Sequence, residues 1–331
     1  MKILLLGDFA GNHDEGMKNI SFYLRKGLSK KNEVLVLDPQ NIFLKNFWQE
    51  IFRFKPQIIH YIHGPTIKSL AVLKLLGQCL KSKTAASATH PSFSNWSRRL
   101  IFALRPDLIL VESQKTENLF KASGCRVRFL PNGVDLEKYS PISTSEKTIL
   151  RRHYGLPENR FIILHVGHIR ENRNLEILAE LQKQSDVLIL IVGSRAFPVE
   201  ASVYGFLKES GCIVWNKYFD NLEEIYNLSD CYIFPTLDSP NYLPRPCGSI
   251  ELPLTVLEAM ACGLPVISTK FGGLPKLFRE RDGFFYFETI EELVEKIKVI
   301  RGGFATRTRE IVAPYSWERI IDQLETIYTE I

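Results

Sequence analysis

The chain predicts an α/β protein of two doubly wound parallel-sheet domains, and three observations carry that prediction. Apolar runs alternate with amphipathic segments in the rhythm of βαβ units. The rhythm runs twice, each copy opening on a strand that ends in glycine, Gly7 and Gly167. The 331 residues, 45% hydrophobic and 24% charged, suit two globular domains that each bury a core.

The first copy predicts strands at 2–8, 33–38, 57–63, 84–90, 108–113 and 127–132, with helical spacing in segments such as 17–30 between them. The opening MKILLLGDFAG holds one Lys and a short apolar run that Asp8 ends, so it reads as a buried strand and not a signal peptide. The second copy predicts strands at 161–167, 187–193, 212–218, 231–236 and 265–269. The polar segment from Asp135 to Arg160 reads as the connection. Domains are therefore expected at 1–150 and 151–314, with an amphipathic helix at 315–331 docking back on the first. Two such domains facing across a cleft would take ligands at the carboxyl ends of their strands.

Charge is uneven. Residues 1–130 hold 20 Lys+Arg against 9 Asp+Glu, and the remainder 22 against 28. A basic front half points to a polyanionic surface or substrate meeting one domain. No RNA- or DNA-binding motif accompanies it, so nucleic acid is not the expected partner. No apolar run approaches the roughly 18 residues that span a bilayer. The six cysteines form no C-x-x-C pair, which excludes a zinc-ribbon framework and predicts small apolar fillers in a reducing cytoplasm.

The stretch SIELPLTVLEAMACGLPVIST, residues 249–269, is the most informative. Locally, Thr255-x-x-Glu258 reads as a capping box, Gly263 as the left-handed stop and Pro265 as the barrier to continuation. A proline-bearing loop opening onto a helix N-terminus is equally an anion site, since free N–H groups and the helix dipole face it.

The runs PLTVLEAMACGLPVIST, PNGVDLEKYSP (131–141), VGHIRENRNLEIL (166–178) and the closing YSWERI together resemble the retaining glycosyltransferases of family 4, over nearly the whole chain and in the right order. The resemblance implies the GT-B fold, two facing Rossmann-like domains. It also implies sugar transfer from a nucleotide-sugar with retention, no metal and no other cofactor. The donor would sit on the C-terminal domain and the acceptor on the N-terminal one. By position, Glu258 matches the family's ribose-binding Glu, and the backbone N–H groups of Thr255, Val256 and Leu257 its diphosphate cradle. Arg173 matches the donor-phosphate cation. His168 stands where the family has Arg after the strand-end glycine, here Gly167, so Arg170 is the candidate for that charge. His90 matches the strand-end His near the transferred sugar. Gly11, Glu15 and Gly16 fall in the glycine-rich loop. The departure is Ile250, which stands where the family's first Glu contacts the sugar. Three explanations stand: a rewound loop puts Glu251 in the role, sugar recognition differs, or activity is lost. The unusual prolines of 241–248 favour the first. The catalytic candidates are His90, Arg173 and Glu251. His60 and His63 are weaker ones, and no metal ligand set is expected. A nucleotide-sugar epimerase and a non-catalytic binding protein on the same scaffold are the competing readings.

Finally, SFSNWSRRLIFALR (92–105) sets Phe93, Trp96, Leu100, Ile101 and Leu104 beside Arg98, Arg99 and Arg105. Aromatic and basic residues at helical spacing suit an interfacial helix. The expectation is a cytoplasmic protein, peripheral on an anionic leaflet, with a glycan or lipid-linked acceptor.

Overall fold

A computed structural model describes residues 1–9, 15–93, 98–184, 186–194, 198–238 and 249–331. Gly11, Asp14, Trp96 and the proline-rich run 241–248 lie outside the described residues. The chain divides into two compact units: residues 1–132, 239–252 and 317–331 form the first, and 133–238 and 253–316 the second. The division falls at Asn132/Gly133, ahead of the expected 150, and the terminal helix belongs to the first unit.

The first unit holds six parallel strands: β1 (Lys2–Leu6), β2 (Glu33–Leu37), β3 (Ile58–Tyr61), β4 (Lys83–Ala88), β5 (Leu108–Val111) and β6 (Val127–Phe129), ordered β2-β1-β3-β4-β5-β6. Such a sheet, covered on both faces, favours the near-continuous apolar runs seen here. Leu4, Leu6, Ile59 and Ala86 point to one face, where helices Lys45–Phe54 and Ile67–Leu80 cover them with Phe47, Ile51, Leu73 and Leu76. Helices Arg98–Leu104 and Gln114–Ala122 continue that layer through Ile101 and Phe120. On the other face lie helices Gly16–Leu28 and Trp317–Thr329. Tyr23 stacks on Trp317 at 5.1 Å, and the Tyr328 hydroxyl bonds to His60 Nδ1 at 2.6 Å. A Cβ on Gly27 would stand 2.5 Å from Ile321 Cγ1, so close approach of these helices requires glycine there.

The second unit repeats the plan with β7 (Ile162–Gly167), β8 (Leu188–Gly193), β9 (Ile213–Asn216), β10 (Cys231–Phe234), β11 (Val266–Ser268) and β12 (Phe284–Tyr286), ordered β12-β11-β10-β7-β8-β9 and all parallel. Strand order reverses between β7 and β10, and the crevice at the carboxyl ends of such strands is where sheets of this kind take ligands. β12 has no counterpart among the sequence expectations. Its three residues sit in the aromatic run GFFYF, too short to show a period.

Helix Leu254–Ala261 is buried on every side except at Thr255, which accounts for its alanines: only small residues let a wholly enclosed helix pack closely. The expected capping box is not formed. The N-cap is Pro253, with no side-chain cap bond. Thr255, one residue into the helix, accepts a bond from the Tyr232 hydroxyl at 2.8 Å, and Glu258 accepts one from Tyr226 at 2.8 Å. Buried tyrosine donors thus outcompete the local cap. Gly263 does supply the left-handed stop, at φ 77°.

Candidate active site

In the second unit the candidate donor residues converge at the switch point. β7 ends at Gly167, and the next turn carries His168, Arg170 and Arg173. Arg173 is 5% exposed and its Nη2 lies 3.4 Å from His168 Nδ1. A Cβ on Gly167 would stand 3.1 Å from His165 Nε2, a tight contact, and 3.7 Å from Arg173 Nη1, an ordinary one. Burial pulls the His168 imidazole down to about 4, and the positive charges of Arg173 and Arg170 add to the effect. At neutral pH the turn therefore holds two guanidiniums and a neutral imidazole. Two acids accompany them: Glu171 lies in the turn itself, its N–H donating to Glu200 Oε2 at 2.7 Å, and Glu200 Oε1 lies 4.0 Å from Arg170 Nε. The buried Arg173 guanidinium is the turn's candidate for an anion.

Tyr232 on β10 ties the turn to the helix. Its hydroxyl reaches Thr255 Oγ1 and, at 3.4 Å, the carbonyl of Val166 on β7. Behind Thr255, Glu258 is 7% exposed and bonded by Tyr226 and Tyr139; burial lifts its carboxyl above the usual range, those bonds opposing. Val256 and Leu257 are fully buried, so each can meet a ligand only through its backbone. The Val256 N–H turns toward Pro253 O at 3.3 Å. At the far end of the helix Arg309 donates to the Ala261 carbonyl, a cation at the negative end of the dipole. Arg309 also holds the backbone of Leu136 and Tyr139.

In the first unit the remaining candidates gather past the carboxyl ends of β3, β4 and β5. His90 donates its N–H to Gly64 O at 3.0 Å. His63 Nδ1 accepts from Asp8 N–H at 3.3 Å, which leaves Nε2 to donate to Ser21 Oγ at 2.9 Å. His60, fully buried between Tyr328 and Ser87, is held near 3 by desolvation. Its role is packing. Gly16 opens helix Gly16–Leu28 behind Glu15, and a Cβ there would stand 3.3 Å from Ile250 Cδ1.

Segment 249–252, Glu251 included, belongs to this unit, while Glu258 belongs to the other. Glu251 N–H donates to Thr89 O at 2.9 Å, and its carboxylate accepts from Thr116 Oγ1 at 2.8 Å, at the start of helix Gln114–Ala122. Leu252 N–H donates to Glu112 Oε2 at 3.0 Å and Asn132 Nδ2 to Leu252 O at 3.0 Å. Sequence reasoning passed over Glu112, Thr116, Asn132, Tyr139, Tyr226 and Tyr232. Asn132 and Tyr139 stand inside the quoted run PNGVDLEKYSP; the others carry no local pattern.

Glu112 is 4% exposed and borders a cavity of about 20 Å³, room for a single water, with no Lys or Arg in its lining. Burial, and then the Glu251 carboxylate, push its pKa well up. The folded chain therefore holds this proton more tightly than the unfolded chain. The resulting stability is present below the ordinary carboxylate range and is lost as pH rises through the raised value. A Glu112→Gln variant should escape that loss, so its advantage over the parent in urea unfolding should widen as pH rises across the window. A parent that is more stable than Glu112→Gln by a constant margin would mean an ionised Glu112.

Residues 146–301 match the family described as "Glycosyl transferases group 1". Among curated proteins, the chain is 27% identical to the sulfoquinovosyl transferase SQD2 of Arabidopsis thaliana, over 81% of this chain and 55% of that one. It is 23% identical to the N-acetyl-alpha-D-glucosaminyl L-malate synthase of Bacillus anthracis, over 82% and 74%. It thus spans little more than half of the Arabidopsis relative. Among solved structures, the Anabaena protein HepE in complex with UDP-glucose superposes with a TM-score of 0.76 at 18% identity, covering 100% of both chains. The sucrose-phosphate synthase of Thermosynechococcus elongatus does so with 0.76 at 17%, covering 99% and 98%. The fold is that of the GT-B glycosyltransferases, and residues 146–301 of the chain match the group 1 glycosyl transferases.

Proposed function

We propose that the chain transfers a sugar from a nucleotide-sugar to an acceptor with retention at the anomeric carbon and without a metal. The observation that carries this is the cluster of Arg170, Arg173 and neutral His168 beside the N-terminus of helix Leu254–Ala261, in the crevice between β7 and β10. A diphosphate leaving group gains charge as the glycosidic bond breaks, and fixed cations stabilise what develops. Arg serves through its planar fork. Glu258 takes the ribose hydroxyls, and the first helical amides add donors. In the first unit, His90 and Glu251 remain the candidate catalytic residues. The UDP and UDP-glucose complexes of HepE support a nucleotide-sugar donor and make UDP-glucose the first to try. Thermal shift against a nucleotide-sugar panel tests the binding, because a ligand of the folded state stabilises by mass action. Proton NMR of the product tests retention, and an inverted anomer would overturn it.

With guanidiniums neutralising the phosphates, turnover should persist in EDTA. Loss of activity that Mg²⁺ or Mn²⁺ restores would replace this account with a metal-assisted one. A non-catalytic binding protein is the second reading, and one observation favours it: Ile250, where the family places its sugar-contacting acid, packs against Gly16. Binding of nucleotide-sugar without turnover or hydrolysis would select it. The acceptor is a lipid-linked group or a surface glycan. The protein is cytoplasmic and attaches peripherally to an anionic leaflet through its first unit.

A further inference from the structure

The segment expected to attach does not present a single apolar stripe. Phe93 and Ile101 are buried in the core, Leu104 packs partly against it, and Leu100 and Phe102 are exposed. These two have company. Thirteen large apolar side chains lie exposed among the described residues. Six of them (Phe43, Leu44, Phe52, Leu75, Leu100 and Phe102) sit on one layer of the first unit: helices Lys45–Phe54, Ile67–Leu80 and Arg98–Leu104, and the turn entering the first of these. Phe43 is 95% exposed. The same three helices carry six Lys and Arg and one acid, Glu50.

We propose that the outer surface of this three-helix layer is the membrane-contacting face of the protein, and that its occupant is an anionic phospholipid leaflet. It rests on the peripheral attachment proposed above and gives that attachment a surface. Aromatic and leucine side chains standing in water beside cations are what an interfacial surface uses. Each cation brought to an anionic leaflet adds about fivefold to partitioning, so charge and apolar insertion act together.

The layer also has a place for a headgroup. An open groove of about 690 Å³ runs between helices Ile67–Leu80 and Arg98–Leu104, lined by Lys74, Phe102, Arg105 and Arg126. Its one acid, Asp107, is engaged by the N–H and hydroxyl of Thr84, both at 2.8 Å. The Arg105 guanidinium lies 4.1 Å over the Phe102 ring, so cation and aromatic face are presented together. The groove lies at the amino ends of β4, β5 and β6, and Phe43 lies beyond the carboxyl end of β2. The exposed side chains and the groove are therefore spread from one end of the layer to the other.

Two exposed-site variants test this: Phe43→Ser with Phe102→Ser, and Lys74→Gln with Arg105→Gln. The probe is co-sedimentation with phosphatidylglycerol–phosphatidylcholine vesicles at low and high salt, against pure phosphatidylcholine. The expected result is salt-sensitive binding to the anionic vesicles alone, weakened at least tenfold in each double variant, with nucleotide-sugar affinity unchanged. Anionic binding that both variants retain would overturn this face while leaving attachment elsewhere. Absence of vesicle binding in the parent would overturn the attachment itself. Equal binding to neutral vesicles, preference for RNA over vesicles, or a dimer that Phe43→Ser with Phe102→Ser dissolves would each also overturn the proposal. Sugar transfer to a soluble acceptor reports separately on the catalytic reading.

Discussion

Replacing Arg173 with alanine should lower the rate of sugar transfer by on the order of a hundredfold, about 2.7 kcal/mol of barrier, the magnitude typical of removing one fixed donor from developing charge. The guanidinium is buried, flanks Gly167 and touches His168, so the variant also carries an internal readout. His168 is held down to about 4 first by burial and then by Arg173. Without the second cause its titration should move upward, as NMR of the imidazole would record. Arg173→Lys should fall between, keeping the charge and losing the fork. A folded Arg173→Ala variant with parental turnover would remove the residue from the reaction.

For Glu258→Ala, nucleotide-sugar affinity should fall at least tenfold, about 1.4 kcal/mol, and stability should fall too. The carboxylate accepts from Tyr226 and Tyr139, both buried. Stranding two hydroxyls should cost about 2 kcal/mol or more. Glu258→Gln separates the two effects, because the amide oxygen still accepts from Tyr226 while the charged acceptor for the ribose is gone. Calorimetric titration and urea unfolding of both variants decide. Parental nucleotide affinity in folded Glu258→Gln and Glu258→Ala would leave Glu258 a purely structural acceptor.

The two-sheet plan was legible because buried parallel strands write themselves as apolar runs, and eleven of the twelve strands stand out so. The turn at 168–173 was legible through the family resemblance, which singled out His168, Arg170 and Arg173 after a strand-end glycine. Two things were not. Thr255 and Glu258 have the spacing of a capping box, but tyrosines far off in sequence claim both side chains, and no local pattern records that. Likewise Glu251 and Glu258 are near neighbours in sequence, yet the chain assigns them to different units. Only the contacts of Glu251 with Thr89 and Thr116, and of Leu252 with Glu112, reveal it.

The first unit is threaded from three separate stretches of chain, the last of them residues 317–331. During synthesis the second unit has all of its residues once 316 has emerged. The first still lacks the helix whose Trp317, Ile321 and Tyr328 cover Tyr23, Gly27 and His60. The part made first therefore waits, one sheet face covered by helix Gly16–Leu28 without its partner, for residues 317–329 to arrive. A chain cut before Trp317 would hold every residue of the second unit and a first unit without that helix, and a chaperone that guards apolar surface would find its substrate there.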